Sequence, residues 1–330
     1  MNRLVQTLQG EITQPKPVWF MRQAGRYLPE YRVMNHMTFM EKALDVPTVV
    51  EITLQPVRRY ALDAAIIFSD ILLIPWAMGQ DLEFVAQQGP ELSVFDLNTF
   101  FDHDPKEFLK KLTPVYRSIK LTRERLAWDQ SLIGFAAAPH TLMHYMVDPT
   151  VTLTEREQED VHQRLIVQTV EHLSNQILAG CDVVQIFDSH AGTLKTDADV
   201  MRHCILPNQQ IVTALRMRHP TVPIICFPKG LKPNQVLNFC KTVNPSCISI
   251  DYTMDIDWAL QMLSRWPIQG GLDPKKLLGD SKNMIHTAKM YLDKFKDHPY
   301  VFNLGHGILK QTKPTQIQKL IDLVKHKSLK

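Results

Sequence analysis

The sequence predicts one α/β domain of the (β/α)8-barrel class, the TIM barrel, and three observations indicate it. Eight short apolar runs bounded by turn residues are spread along the 330 residues, as expected of strands buried on both faces of a parallel sheet. Segments of helical period lie between these runs. No internal repeat, low-complexity tract or Gly/Ser linker marks a boundary, so residues 1–330 are predicted to form a single domain.

The predicted strands are short and follow one another at spacings that leave room for a helix. They span residues 17–21, 64–70, 132–138, 182–188, 222–228, 247–252, 268–272 and 300–305. A doubly wound open sheet is the alternative architecture. It is disfavoured because the GxGxxG dinucleotide fingerprint follows none of the candidate strands.

The predicted helices carry apolar residues three and four positions apart. In residues 154–180, Thr154 and Glu157 fit a capping box and Gly180 is the expected stop. Similar periods cover 104–127, 197–219 and the segment that begins near Pro314. Two stretches, 22–44 and 78–101, break the alternation and are predicted to be loop insertions. The second is predicted to be a hairpin whose strands, 82–85 and 92–95, flank a turn at 87–90.

The charge balance excludes whole classes of partner. Lys and Arg number 37 against 34 Asp and Glu, so no overall basic field favours a nucleic acid or an anionic membrane.

No signal-peptide core or membrane-length apolar run is found, and we expect a cytoplasmic protein. The five cysteines include no CxxC pair and are expected to be reduced and buried.

Polar residues that follow the predicted strands are the functional candidates, because barrel active sites lie at those strand ends. Arg22 and Arg26 follow the first run, and a guanidinium matches a carboxylate in geometry. Their spacing of four also fits a solvated helix, although Gly25 and Pro29 argue against one. Asp70 ends the second run, where it is predicted either to cap a turn or to act chemically.

Three further strand ends offer candidates with competing interpretations. Ser189 lies between Asp188 and His190, but adjacent side chains point apart, which disfavours a catalytic triad. Lys229 follows the fifth run, where it is predicted to form a Schiff base, contact a substrate anion or lie on the surface. His306 lies between two glycines, in a loop that is suited either to binding phosphate through its backbone N–H groups or to presenting the imidazole to a ligand.

No metal or organic cofactor is expected. His140 and His144 have helical metal-ligand spacing, but no HExxH arrangement or cysteine accompanies them, so a helix-surface role is the default interpretation. The sequence also contains no P-loop and no compact carboxylate set for magnesium.

Several motifs resemble those of the uroporphyrinogen decarboxylase family. They are PVWFMRQAGRYLPEYR at 17–32, FSDIL at 68–72 and GHG at 305–307, and the resemblance covers nearly the whole chain. It implies a (β/α)8 homodimer in haem biosynthesis that removes CO2 from the four acetate arms of uroporphyrinogen III. The product is coproporphyrinogen III, and the family needs no cofactor.

The resemblance also implies roles for individual residues. Arg22 and Arg26 match the carboxylate-binding arginines, and Asp70 matches the aspartate that accepts the pyrrole N–H groups. Tyr145 matches the tyrosine of the third-strand segment, Ser189 the polar residue after the fourth strand. His306 matches the histidine of the last loop. These six residues are the implied substrate-binding residues, and four of them are the implied catalytic residues: Asp70, Arg22, Tyr145 and His306.

A mechanism follows from the implied substrate. Protonating the pyrrole carbon beside an acetate arm makes the ring an electron sink, and Asp70 would stabilise the resulting cation. Arg22 and Arg26 would hold acid arms, and Tyr145 would position an arm or Asp70. The proton donor is left open between Arg22, His306 and water, since arginine is a poor acid.

Four positions depart from the family pattern: Ala137, His140, Gly271 and Lys310. Ala137 and Gly271 motivate one alternative, a porphyrinogen-binding homologue with reduced turnover. A second alternative is a corrinoid-linked methyltransferase, since such enzymes resemble this barrel family. The methyltransferase needs a thiolate-rich zinc site, for which the cysteines are poorly placed. A Schiff-base aldolase acting through Lys229 is a third alternative.

Overall fold

A computed structural model describes residues 2–85, 89–148 and 150–326. Within them, seven parallel strands form one curled sheet in the order β1-β4-β5-β6-β7-β8-β9, and β2 pairs antiparallel with β3. The strands are β1 Ala64–Ile66, β2 Leu82–Val85, β3 Gly89–Leu92, β4 Ser131–Ala137, β5 Val183–Asp188, β6 Ile224–Pro228, β7 Cys247–Ile250, β8 Ile268–Gly270 and β9 Tyr300–Val301.

Seven of the eight predicted strands are thereby confirmed, and the first is not. Residues 17–21 make only an isolated bridge, Val18 to Phe302, although Pro17 O accepts from Phe302 N at 2.8 Å and Val18 O from Asp63 N at 3.1 Å. The cause is side-chain competition for the backbone. Asp63 Oδ2 accepts from Val18 N at 2.7 Å, and Asn303 Oδ1 accepts from Met21 N at 3.2 Å, in place of ladder carbonyls.

Helices pack against the sheet, and the apolar residues of both form one continuous core. The helices are α1 Arg3–Leu8, α2 Pro29–Arg32, α3 Phe39–Leu44, α4 Val46–Tyr60, α5 Leu73–Ala77, α6 Leu97–Asp102, α7 Pro105–Arg125, α8 Pro139–Met146, α9 Glu155–Leu178, α10 Asp197–Asp199, α11 Leu206–Arg218, α12 Pro233–Val243, α13 Ile256–Met262, α14 Ser281–Lys294 and α15 Pro314–Val324. Short 3-10 turns cover Ala191–Thr193 and Pro274–Leu277.

The predicted helix boundaries hold where caps define them. α9 begins after Thr154, whose side chain forms the predicted capping box with Glu157. The segment 197–219 is less regular than expected, since a π-helical turn, Val200–Ile205, separates α10 from α11. Pro207 has no N–H to donate one turn back, which accounts for the disturbed register there.

The two predicted insertions pack on each other above the end of β1. The first contains α2 and α3, and the second is the predicted hairpin, with its second strand at β3 rather than at 92–95; part of its predicted turn lies outside the described residues. The Phe39 ring lies 5.3 Å from that of Phe68 and 4.0 Å from that of Phe84, centroid to centroid. The insertions are thus anchored where Asp70 emerges.

All five cysteines are free and buried, as the sequence predicted. None of the helices in the described ranges is long and apolar enough to cross a membrane.

Candidate active site

The arginine-bearing loop after residues 17–21 is held in one conformation. Arg22 has a φ of 60°, a left-handed conformation that costs a non-glycine residue about 1 kcal/mol. The buried Gln23 side chain fixes it, because its Oε1 accepts from Phe20 N at 3.0 Å and its Nε2 donates to Ala64 O at 3.0 Å. The loop is therefore fastened to β1, and no helix covers Arg22 and Arg26.

Arg22 extends across the loop that carries His306. A Cβ built on Gly307 would lie 2.5 Å from Arg22 Cδ and 2.7 Å from its Cγ, so only glycine leaves room for this side chain. Ile308 N also donates to Met21 O at 2.9 Å. The two loops, far apart in the chain, are thereby joined.

Asp70 has one satisfied and one available carboxylate oxygen. Its Oδ1 accepts from Leu72 N at 2.8 Å, and no donor among the described residues reaches Oδ2. Burial raises the pKa of Asp70 to about 6, while the Leu72 hydrogen bond and the charge of Arg22 oppose that rise. Asp70 is therefore ionised at neutral pH, with a free acceptor.

Tyr145 belongs to the same electrostatic group. Burial raises the pKa of the Tyr145 hydroxyl, the Asp70 carboxylate raises it further and Arg22 lowers it. Arg22 makes no ion pair within 4.0 Å of a carboxylate in the described ranges. The site thus contains a cation that is close to Asp70 without being neutralised by it.

His306 is a neutral hydrogen-bond donor in this environment. The pKa of His306 is lowered to about 4, chiefly by burial and in addition by the charges of Arg22 and Lys229, against an opposing effect of Asp251. Gly307 N donates to His306 Nδ1 at 2.7 Å. The proton of the neutral imidazole therefore resides on Nε2.

Arg26 and Ser189 are not in direct contact with this group. Arg26 is exposed, and its charge lowers the pKa of Tyr31, which burial raises. Ser189 is half-buried after β5. Across the part of the chain that the structure describes, neither side chain forms a hydrogen bond or ion pair with Asp70.

Comparison with known proteins identifies the family. The model of the uroporphyrinogen decarboxylase family matches residues 1–327. The chain belongs to this family. It is 36% identical to the uroporphyrinogen decarboxylase of Roseobacter denitrificans, over 98% of each chain. It is 39% identical to that of Rhizorhabdus wittichii, over 98% of this chain and 97% of the relative.

A solved structure shares the fold. The methyltransferase from Methanosarcina mazei superimposes with a TM-score of 0.82 at 17% identity, covering 98% of this chain and 97% of the other. At that identity the likeness concerns the fold alone.

Two departures from the family pattern lie in packing contacts. Gly271 has a φ of +95°, and a Cβ there would lie 2.8 Å from Tyr291 Cε1; the Tyr291 hydroxyl also donates to Gly271 O at 2.7 Å. Gly271 thus faces α14. Ala137 is fully buried at the end of β4, paired with Phe187 of β5.

His140, another departure, is half-buried and contacts the loop after β5, whereas His144 is exposed on α8, as expected of a helix-surface residue. The His140 Nε2 lies 3.2 Å from His190 O and 3.1 Å from Thr193 Oγ1. The His144 ring stacks on His190 with centroids 3.9 Å apart, and the Tyr145 ring meets His190 edge-on at 5.0 Å. Within the described ranges, no group of three or more potential ligands has metal-binding geometry.

Asp188 is structural. Its Oδ1 accepts from Thr141 Oγ1 at 2.7 Å and its Oδ2 from Asn208 Nδ2 at 3.3 Å, which fastens the loop after β5 to α8. The neighbouring His190 ring is not among its partners in the part of the chain described, so the disfavoured triad has no geometric support.

Sequence reasoning assigned no role to Gln23 or Gly307. In the sequence, Gln23 is only part of a matched motif, and Gly307 is only a glycine beside His306. Residues that position a functional side chain could have been sought among polar residues next to a predicted strand end and glycines next to a candidate residue.

Proposed function

We propose that the chain is a carboxy-lyase that converts uroporphyrinogen III into coproporphyrinogen III and CO2 in porphyrin and haem biosynthesis. The observation that carries the proposal is that two groups occur together at the strand ends. Asp70 has a free acceptor oxygen, and Arg22 is near enough to influence its pKa without forming an ion pair in the described ranges. The names of the relatives support the same activity. The substrate brings both the N–H donors and the carboxylates that such a site lacks.

Asp70 would stabilise the cation that forms when a pyrrole carbon is protonated. Loss of CO2 leaves its electron pair to the protonated ring and gives an exocyclic methylene. Protonation of that methylene carbon and loss of the proton from the ring carbon then give the methyl group and restore the pyrrole, so each arm consumes one proton and the proposed step requires no added cofactor. A preorganised group of this kind contributes roughly 3 kcal/mol to transition-state stabilisation. The Oδ1 contact to Leu72 N leaves Oδ2 for the pyrrole N–H groups.

Arg22 and Arg26 would bind acid arms, with Arg26 and Ser189 engaging the substrate from the periphery. Tyr145, near the charges of Asp70 and Arg22, would orient an arm or Asp70 itself. His306 is neutral above about pH 4 and would donate Nε2–H to a carboxylate. Of the donors left open by the sequence, these properties favour solvent over His306 or Arg22 as the proton source.

We further infer a closed (β/α)8 barrel in a single domain over residues 1–330. Pro17 and Val18 contact the residue after β9 and the residue before β1 through the Phe302–Pro17 and Asp63–Val18 hydrogen bonds, which supports an eighth strand position there. A cytoplasmic homodimer is proposed from the family resemblance.

The rival activities have weaker support. A corrinoid-linked methyltransferase needs accessible thiolates for zinc, whereas all five cysteines here are buried, and burial raises the pKa of Cys226 and Cys247. An aldolase acting through Lys229 needs a lysine in a dry pocket, whereas Lys229 is only half-buried.

Anaerobic incubation with uroporphyrinogen III tests the proposal. We expect heptacarboxyl to tetracarboxyl products to appear in order, measured by chromatography after oxidation, with one CO2 released per arm. Binding of the substrate without product would favour the porphyrinogen-binding homologue. Product formation that depends on added corrinoid would favour the methyltransferase.

Replacing Gly307 by alanine is expected to lower kcat/KM about tenfold or more, because the new methyl would displace the Arg22 side chain that it meets at 2.5 Å. Gly279 is the matched control, since a Cβ there meets nothing within 4 Å. Steady-state kinetics on both variants provides the measurement. Equal activity of the Gly307→Ala and Gly279→Ala variants would contradict the packing role.

A further inference from the structure

Lys229 is a cation without a counterion at the end of β6. Its side chain is half-buried. Its ammonium forms no hydrogen bond, and no ion pair within 4.0 Å, with any residue in the described ranges. Arg22 follows residues 17–21, which neighbour β9, whereas β6 is the middle strand of the sheet order. The two cations therefore approach the strand ends from different elements.

The backbone that carries Lys229 is fixed. Lys229 N donates to Asp188 O at 3.1 Å, and Gly192 N donates to Lys229 O at 3.0 Å. A Cβ on Gly192 would lie 2.7 Å from Gly230 O, so the loops after β5 and β6 are in contact at these two glycines. The side chain of Lys229 consequently starts from a defined position.

Asp251 is the acidic residue whose charge opposes that of Lys229 in setting the pKa of His306. Both of its carboxylate oxygens already accept hydrogen bonds. Asp251 Oδ2 accepts from Gly230 N at 2.8 Å, and its Oδ1 accepts from both the backbone and the hydroxyl of Thr253. These bonds hold Asp251 as part of the loop structure. No ion pair within 4.0 Å joins Asp251 to Lys229 in the part of the chain described.

The loops that carry Lys229 and His306 both pack on the loop after β7, because Gly230 N donates to Asp251 Oδ2 at 2.8 Å and a Cβ on Gly305 would lie 2.8 Å from Asp251 C. The Arg22 side chain packs against Gly307 on the other side of His306 in sequence. Two cations without an ion pair in the described ranges are therefore carried close to the neutral His306 imidazole. Lys229 and Arg22 both act on His306, where burial is the larger cause of the lowered pKa. His306 presents its Nε2–H, since Nδ1 accepts from Gly307 N. Like charges gathered around an N–H donor repel one another, and an anion placed among them relieves that repulsion.

The geometry points to a second carboxylate subsite, formed by the Lys229 ammonium and the His306 Nε2–H, that binds an acid arm of the porphyrinogen. This inference rests on the proposed function and extends it by adding Lys229 to the substrate-binding residues. It gives the unpaired lysine and the neutral imidazole a common ligand.

The arm bound there is one that keeps its carboxylate, namely a propionate. A cation that binds the departing carboxylate stabilises the ground state more than the transition state, in which that charge is leaving, and so slows CO2 loss. A cation on a retained arm binds both states equally. Lys229 should therefore affect KM and leave kcat nearly unchanged.

Lys229→Met, which keeps the length of the side chain and removes its charge, tests the subsite. We expect the KM for uroporphyrinogen III to rise about tenfold, with kcat within about twofold of wild type. The inhibition constant of coproporphyrinogen III, which retains its propionates, should rise by the same factor. Lys229→Arg should recover most of the lost affinity.

Lys232→Met is the matched control, because Lys232 is exposed three residues further along the same loop. Its kinetics should equal those of wild type. A KM for Lys229→Met within twofold of wild type, or an equal rise in Lys232→Met, would overturn the subsite. Loss of affinity for uroporphyrinogen alone would contradict the propionate assignment.

Failure of the proposed function is distinguishable from failure of this inference. If the wild-type protein formed no product, the decarboxylase proposal would fail. Anaerobic tryptophan-fluorescence titration of the same variants with coproporphyrinogen III would still test the subsite. Thermal unfolding of each variant confirms that a change in binding does not reflect unfolding.

Discussion

Asp70→Asn is expected to lower kcat for uroporphyrinogen III about 100-fold while KM changes little. The amide keeps an oxygen that can accept from Leu72 N, as Asp70 Oδ1 does at 2.8 Å, but it removes the negative charge. That charge is needed only when the pyrrole becomes cationic, so the loss falls on the transition state. Steady-state kinetics under anaerobic conditions measures the split.

The pH profile gives an independent signature of the same residue. Because Asp70 must be ionised and burial raises its pKa to about 6, wild-type kcat/KM should fall as the pH drops below about 6. The Asp70→Asn variant should lack this limb. Asp81→Asn is the control, since Asp81 is an exposed carboxylate in the second insertion. Near-normal kcat in Asp70→Asn would refute the role.

Stability should change in the opposite direction from activity. The folded-state pKa of Asp70, about 6, lies above its ordinary value of 3.8, so folding favours the protonated form. No penalty exists below about pH 3.8, and it grows as the pH rises from there to about 6, above which it is complete. After allowance for partial exposure, Asp70→Asn should be more stable by about 1 to 2 kcal/mol at pH 8. Urea unfolding at pH 8 should show this gain, and a measurement at pH 3.5 should show almost none.

Arg22→Met is expected to reduce kcat/KM about 10- to 100-fold, because a charge-assisted contact to an acid arm contributes roughly 1.5 to 3 kcal/mol. A second effect is specific to this position. Arg22 lowers the pKa of Asp70, so the acidic limb of the pH profile should move to higher pH in the variant. Methionine keeps the same left-handed backbone demand, so backbone strain is not a variable.

Arg26→Met separates these two effects. Both arginines are exposed, but the charge of Arg26, unlike that of Arg22, is not among the causes that shift the pKa of Asp70. We therefore expect a smaller loss of affinity and an acidic limb at the wild-type position. An identical shift of the limb in both variants would argue against a special pairing of Arg22 with Asp70.

Local pattern was sufficient for much of the fold. Strands buried on both faces appear as continuous apolar runs, and β4, β5 and β6 fall inside the predicted ranges to within a residue or two. Helix α9 could be bounded because Thr154, Glu157 and Gly180 act on neighbouring backbone groups. The first strand could not be judged in this way. Its ladder partners are replaced by the side chains of Asp63 and Asn303, which are remote in sequence.

The candidate residues, likewise, were identifiable from the sequence, because strand ends and family motifs mark Arg22, Asp70, Tyr145 and His306 one by one. Their interaction was not. The Arg22 side chain passes over Gly307, Asp70 acquires a raised pKa and the charge of Lys229 lowers the pKa of His306 only once the sheet has curled. Secondary structure depends on residues a few positions apart, which a sequence displays directly. Desolvation and charge coupling depend on distances between residues remote in the chain, and packing alone fixes those distances.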